Sequence, residues 1–151
     1  MCQSFANSSL RNAIKHTVSC DGSFSRRVRR KRQCGVCTSC LLRRQSLTAA
    51  GLAEYDFVDD YEFDIFKTSA FQNTDRLFAF HAMQNQAQKI KSCLQAANPW
   101  LTLAATYPIL EEMKLRLSGL SELKMKSVQQ KILRLYSAHL NEWSLFENQT
   151  N

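Results

Sequence analysis

Three cysteines follow one another at two-residue spacing, Cys34, Cys37 and Cys40, and a fourth, Cys20, lies upstream. This spacing is typical of a structural metal site, because a tight turn brings both sulfurs of a C-x-x-C pair to one ion. Gly35 lies inside the first pair and lets the backbone amides turn toward the sulfurs. We predict one structural zinc ion held by four thiolates: Cys20, Cys34, Cys37 and Cys40.

Three alternatives compete with this assignment. An iron-sulfur cluster also uses a C-x-x-C-x-x-C run, but bacterial ferredoxins continue with a cysteine followed by proline, and no such pair occurs here. Cys2 and His16 compete with Cys20 for the fourth position, since imidazole binds zinc as readily as thiolate does. Free or disulfide-bonded thiols are the third alternative, and clustered cysteines without a secretory signal favour a metal instead.

Length and composition limit the class of protein. The 151 residues, 44% of them hydrophobic, suit one domain or a small module with a helical extension. The sequence contains no run of 18 apolar residues and no apolar signal segment near its start. We therefore predict neither membrane insertion nor secretion, and a cytoplasmic location in which thiols stay reduced.

The net charge of +7 is unevenly distributed. Ten basic residues and a single acid lie between positions 11 and 44, whereas positions 54 to 64 carry six acids and no Lys or Arg. Three interpretations of the basic side chains stay open: a solvated loop with no further role, contact with phosphates of a nucleic acid or nucleotide, and compensation of the negative charge of a four-thiolate zinc site. The candidates for phosphate or nucleic-acid contact are Arg26, Arg27, Arg29, Arg30, Lys31, Arg32, Arg43 and Arg44.

Apolar spacing predicts a mostly α fold, a four-cysteine zinc knuckle followed by a helical bundle. An entry helix is expected up to residue 18, a second helix from an N-cap at Ser39 to Gly51, and further helices after Asp75, Asn98 and Ser121, with an interruption at Pro108. The last helix is expected to present one apolar face: Leu123, Val128, Ile132, Leu135, Leu140 and Trp143. The predicted organisation is a zinc-binding module at 1–56, an acidic-aromatic linker at 57–74 and a helical extension at 75–151.

Several catalytic signatures are absent from the sequence. Its four glycines are never adjacent, so no glycine-rich loop can hold the phosphates of ATP. No G-x-S-x-G, H-E-x-x-H or H-x-E motif occurs either. We predict no complete α/β nucleotide-binding domain and no enzyme activity of this chain alone, and four thiolates would leave the metal no open position for catalysis.

Three stretches occur in order along residues 17 to 56: Ser19-Cys20, the run QCGVCTSCLLRR from Gln33 to Arg44, and Ala49-Ala50-Gly51-Leu52. They resemble the C-terminal zinc segment of the 7-cyano-7-deazaguanine synthase family of queuosine biosynthesis. The resemblance implies that Cys20, Cys34, Cys37 and Cys40 are the zinc ligands. It also implies carbon-nitrogen ligase chemistry in the full-length family, which activates the carboxylate of 7-carboxy-7-deazaguanine with ATP before ammonia converts it to the nitrile.

The family's ATP-binding half precedes this zinc segment and carries an S-G-G-x-D-S phosphate loop, which this sequence lacks. The resemblance therefore implies a module that acts by assembly with an ATP-binding half or a protein partner. The arginine-rich loop and the long helical sequence after residue 56 look more like synthase-related proteins of bacterial anti-phage defence operons. The alternative function is a nucleic-acid-binding zinc module that uses the basic run from Arg26 to Arg32.

Overall fold

The computed structural model describes residues 9–21, 33–67, 77–116, 119 and 121–149. Within these ranges the regular structure is helical, and the single β-type contact is a parallel bridge between Gln33 and Tyr61. The chain divides into two compact units, Met1–Gln84 with Glu142–Asn151, and Asn85–Asn141. The predicted mostly α fold is confirmed.

The first helices of the chain flank the cysteines. A 3-10 helix covers Ser9–His16, shorter than the predicted entry helix, and α1 covers Thr38–Ala49. The predicted N-cap is wrong: Ser39 lies inside α1, and Cys37, with an extended backbone, takes the cap position. Cys40 consequently lies in the first turn, and Gly51 ends the helix with a left-handed φ of +68°.

The acidic segment, residues 54–64, lies against the cysteine segment, residues 33–40. It forms two short 3-10 turns, Ala53–Tyr55 and Val58–Asp60. Gln33 donates its amide to the Asp60 carbonyl at 3.0 Å, and the Phe63 amide donates to the Cys34 carbonyl at 3.1 Å. Residues 57–67 of the predicted linker therefore lie in the first unit, whereas 68–74 lie outside the described ranges. The predicted boundaries at 56 and 74 stay a prediction.

An aromatic cluster completes the described part of the first unit. It joins α2, Phe78–Leu94, to the end of α5, Glu122–Glu147. The rings of Phe80 and Trp143 lie 5.7 Å apart, and those of Phe66 and Phe146 lie 5.5 Å apart. Residues 142–149, far along the sequence, thus pack beside the acidic segment. The predicted cap at Asp75 lies outside the described ranges.

The second unit has its own core. The Asn98 side chain accepts from the Leu101 amide at 3.2 Å and caps α3, Pro99–Thr106, as predicted. Pro108 separates α3 from α4, Ile109–Arg116, also as predicted. The core residues, including those packed on them from α5, are Cys93, Trp100, Leu103, Ala104, Tyr107, Leu110, Met113, Ile132, Leu133 and Tyr136.

The predicted apolar face of α5 is wrong in two of its members. Leu123 is 81% exposed and Leu135 is 68% exposed, whereas Ile132 contacts the core of the second unit. At about 100° per residue, Leu123 lies on the opposite side of the helix from Ile132. No helix in the described part of the chain is both long and apolar enough to cross a membrane.

Candidate metal centre

The four predicted ligands converge in the first unit. Their sulfur atoms all lie within 4.8 Å of one another: Cys20, Cys34, Cys37 and Cys40. Two of the distances are 3.9 Å, between Cys34 and Cys40, and 4.0 Å, between Cys37 and Cys20. Thiolates held tetrahedrally at about 2.3 Å from zinc are separated by about 3.8 Å. These two distances match the spacing around one four-coordinate ion, and none of the four cysteines is in a disulfide.

The local backbone aims amide groups at the sulfurs. Gly35 turns the chain with a φ of +86°, and the Cys37 amide then donates to the Cys34 sulfur at 3.3 Å. The Val36 amide is directed at the same sulfur. Amide donors stabilise the charged thiolate over the thiol. The turn predicted from Gly35 thus supplies the polarity that a metal-binding thiolate needs.

The sulfurs of the buried pair Cys34 and Cys40 lie 3.9 Å apart, within reach of a thiol hydrogen bond. This contact lowers the pKa of Cys34, and the same contact together with burial raises the pKa of Cys40. Burial also raises the pKa of Cys37. Metal binding displaces protons from thiols, so a cation at the centre of the cluster would offset the charge of the four sulfurs. The donor set therefore fits a thiophilic cation.

Hydrogen bonds tie the Cys20 segment to α1. The Asp21 carboxylate accepts from both the hydroxyl and the amide of Ser39, and the hydroxyl bond lowers the pKa of Asp21. On the other side of Cys20, Ser19 donates to the Gln33 side-chain oxygen at 3.2 Å. These contacts place Cys20 among the other three cysteines. Its rival His16 is exposed and lies outside the cluster, and Cys2 lies outside the described ranges.

Two residues beside the sulfurs were not predicted. Gln33, 2% exposed, has its side-chain oxygen 4.0 Å from the Cys40 sulfur, and Tyr61 packs on the cysteine cluster. The Tyr61 hydroxyl donates to Asp56 at 2.7 Å, and burial and then the Asp56 charge raise the pKa of Tyr61. The aromatic residues of the acidic segment were visible in the sequence, but nothing in the sequence indicated which of their rings covers the cysteines.

Arg43 links three elements of the first unit. Its Nε lies 2.9 Å from an Asp56 carboxylate oxygen. Its two terminal nitrogens donate to the Thr17 hydroxyl at 2.6 Å and to the Ile14 carbonyl at 2.9 Å. The guanidinium thus joins the 3-10 helix, α1 and the acidic segment beside the metal centre.

The Arg44 side chain is buried against residues of the acidic segment. It is 3% exposed, and one terminal nitrogen is 2.8 Å from the Asp64 carboxylate. The guanidinium lies over the rings of Tyr61 and Phe66, with its carbon 4.5 and 4.2 Å from their centroids. The charges of Arg43 and Arg44 thus face carboxylates of the same chain. Phosphate contact through these two arginines stays a prediction.

The other predicted phosphate contacts lie outside the described residues: Arg26, Arg27, Arg29, Arg30, Lys31 and Arg32. Phosphate or nucleic-acid contact through this basic run stays a prediction. It would appear as binding that weakens steeply with added salt and with replacement of Arg29 and Arg30.

Replacing Gly35 with alanine is expected to destabilise the first unit by at least about 2 kcal/mol, as at other strained or overpacked positions. An added Cβ would lie 1.8 Å from the Phe63 carbonyl oxygen, and φ is +86°. Gly51→Ala is the matched control, because φ is also positive there but no atom lies within 4 Å of the added Cβ. We expect a loss of about 1 kcal/mol for Gly51→Ala in urea unfolding of the zinc-loaded chain. Equal losses for both variants would contradict the close contact at Phe63.

Comparisons of the chain with protein-family models, with curated proteins and with solved structures found no match. The assignment of the metal centre therefore depends on the sulfur geometry, the amide donors and the burial described above. These observations define a helical chain with a four-thiol cluster that could hold a metal ion.

Proposed function

We propose that this chain is a zinc-binding module in which one ion closes the fold of the first unit. The observation that carries the proposal is the convergence of four sulfurs within 4.8 Å, from two segments separated by the basic part of the sequence. Zinc suits four thiolates in a tetrahedral arrangement. An iron-sulfur cluster places several iron and sulfide atoms between its thiolates and needs more space than this.

The proposed role of the ion is structural. Four protein thiolates complete a tetrahedral site and leave no position for a water or substrate. The cluster lies among buried groups, including Gln33 and Tyr61, and the Arg44 guanidinium lies over the Tyr61 ring. Zinc would hold the Cys20 segment, the knuckle and the start of α1 together, so that the ion pairs beside them can form. We also propose a cytoplasmic location, because reducing compartments keep such thiols free.

Metal analysis of the full chain purified under reducing conditions tests the zinc assignment. About one equivalent of zinc per chain is expected, and it should be released on acidification because protons compete for thiolate ligands. Substitution with cobalt should give the thiolate-to-metal absorption of a tetrahedral site. Less than about a quarter of an equivalent of zinc, or stoichiometric iron in its place, would contradict the assignment.

The order of Ser19-Cys20, the C-G-V-C-T-S-C run and Ala49-Ala50-Gly51 supports a narrower proposal. We propose that the module belongs to a 7-cyano-7-deazaguanine synthase-like protein and acts by assembly with an ATP-binding half or partner. An association with anti-phage defence is part of this proposal. The chain has no S-G-G-x-D-S phosphate loop of its own.

Two measurements test the narrower proposal. The DNA that precedes the Met1 codon is expected to encode an S-G-G-x-D-S loop, either in frame or in an adjacent gene. The isolated chain should not consume ATP in the presence of 7-carboxy-7-deazaguanine, and should do so only with that companion protein. A chain that binds zinc but has no such companion would contradict the synthase relationship and leave the zinc proposal intact.

A further inference from the structure

We propose that the four-thiol cluster is a peroxide-sensitive switch, in which Cys37 is oxidised first and Cys20 then joins it in a disulfide that releases the metal. The inference rests on the proposed zinc function and concerns regulation of the same site. It is carried by two observations: the unequal burial of the four cysteines, and the distance between the sulfurs of Cys20 and Cys37.

Burial distinguishes Cys37 from the other three ligands. Cys20, Cys34 and Cys40 are at most 3% exposed, whereas Cys37 is half-buried at the start of α1. All four sulfurs are thiolates in the zinc-loaded chain, so solvent access decides which cysteine is oxidised first. A small peroxide therefore reaches Cys37 before the three buried cysteines.

The Cys20 sulfur lies 4.0 Å from the Cys37 sulfur. A disulfide has an S–S length of about 2.05 Å, so the two sulfurs must approach by about 2 Å. The Cys20 segment can make this movement, because its link to α1 through Asp21 and Ser39 is solvent-exposed. Exposed hydrogen bonds of this kind are weak, since water replaces them when they break.

The other two cysteines are held in place. Cys34 and Cys40 are buried with their sulfurs 3.9 Å apart, and the Cys34 carbonyl accepts from the Phe63 amide. The backbone next to Cys34 is closely packed, because a Cβ added at Gly35 would lie 1.8 Å from the Phe63 carbonyl oxygen. The geometry therefore favours pairing of Cys37 with Cys20 over pairing with Cys34.

The chemistry consumes one hydroperoxide for two thiolates. The Cys37 thiolate attacks a peroxide oxygen, an S–O bond forms, the O–O bond breaks, and hydroxide or alkoxide leaves with the electron pair. The Cys20 thiolate then attacks the oxidised sulfur, the S–S bond forms, the S–O bond breaks, and hydroxide leaves and is protonated to water. Sulfur is oxidised and peroxide is reduced. Two thiolates remain for the ion, which is too few for a closed site, and a dithiol reductant reverses the change.

Peroxide titration of the zinc-loaded full chain tests the switch. Cys2→Ser and Cys93→Ser in the same chain remove the thiols outside the cluster. Zinc release is followed with a coloured chelator, and disulfides are mapped by mass spectrometry after alkylation. We expect about one zinc released per hydrogen peroxide consumed, a Cys20–Cys37 disulfide, and alkylated Cys34 and Cys40. Addition of dithiothreitol and zinc should restore the parent chain.

The outcomes separate the two proposals. A reduced chain that holds no zinc would overturn both of them. A chain that keeps its zinc through several equivalents of peroxide, or whose first disulfide includes Cys34 or Cys40, would overturn the switch alone. In a Cys20→Ser variant, a sulfenic acid trap should label Cys37, because the thiol that displaces the oxygen is missing. If that variant does not fold, the disulfide map of the chain that retains Cys20 decides the question.

Discussion

Replacing Cys40 with serine is expected to abolish stoichiometric zinc binding and to unfold the metal-binding part of the first unit. Cys40 is fully buried in the first turn of α1, with its sulfur 3.9 Å from that of Cys34. Structural zinc contributes roughly 10–16 kcal/mol of apparent binding free energy in small zinc domains. Because whole domains are stable by only about 5–15 kcal/mol, loss of the ion should remove most of the stability of this region.

Zinc content per chain and circular dichroism during urea unfolding measure this effect. Cys93→Ser is the matched control, because Cys93 is also a buried thiol but lies in the core of the second unit. Its sulfur is 3.3 Å from the Thr106 hydroxyl, a hydrogen bond that serine can keep. We expect Cys93→Ser to retain full zinc binding. Parental zinc affinity in Cys40→Ser would show that the cluster does not hold the metal.

Replacing Asp56 with alanine is expected to destabilise the first unit by about 3–5 kcal/mol, the cost of removing one partner of a buried ion pair. The Asp56 carboxylate accepts from Arg43 at 2.9 Å and from the Tyr61 hydroxyl at 2.7 Å. Its removal leaves a buried hydroxyl without this acceptor and the Arg43 guanidinium without its carboxylate. The loss should appear in urea unfolding of the zinc-loaded chain, with the zinc content unchanged before unfolding begins.

Glu54→Ala is the control for Asp56→Ala, because Glu54 is an exposed acid on the same segment. A surface replacement of this kind should change the free energy of unfolding by no more than about 0.5 kcal/mol. Asp56→Asn should fall between the two, since the amide oxygen can still accept from Tyr61 while the charge is lost. Equal losses for Asp56→Ala and Glu54→Ala would show that the ion pairs contribute nothing to stability.

Local sequence patterns predicted much of this architecture correctly. Asn98-Pro99 starts a helix, Pro108 separates two helices and Gly51 ends one. Each of these signals is local: the prolines and Gly51 act through their own backbone geometry, and the Asn98 side chain accepts from a backbone amide three residues further along. The knuckle was predicted for the same reason, since its glycine and three cysteines lie within seven residues. The N-cap at Ser39 was wrong by two residues, because Cys37 takes the extended conformation that the cap requires.

Contacts between residues that are distant in the sequence could not be predicted from local patterns. Arg43 and Arg44 belong to a basic set by sequence, yet Asp56 and Asp64 bind them inside the first unit. A charge pattern cannot show which carboxylate a guanidinium will meet. The predicted apolar face of α5 likewise included too many residues. Leu123 and Leu135 fit the apolar spacing, but both are exposed.

The sequence by itself determined three of the metal ligands, Cys34, Cys37 and Cys40, and that the chain is mostly helical, because thiol spacing and helix periodicity are local properties. Tertiary structure alone decided that Cys20 completes the cluster, since its place depends on hydrogen bonds of Ser19 and Asp21 to residues 14 and 18 positions away. It also decided that the acidic segment packs on the cysteines through Tyr61 and receives both arginines. The arginines and aspartates form specific ion pairs because folding buries them beside one another, and burial is a property of the folded chain.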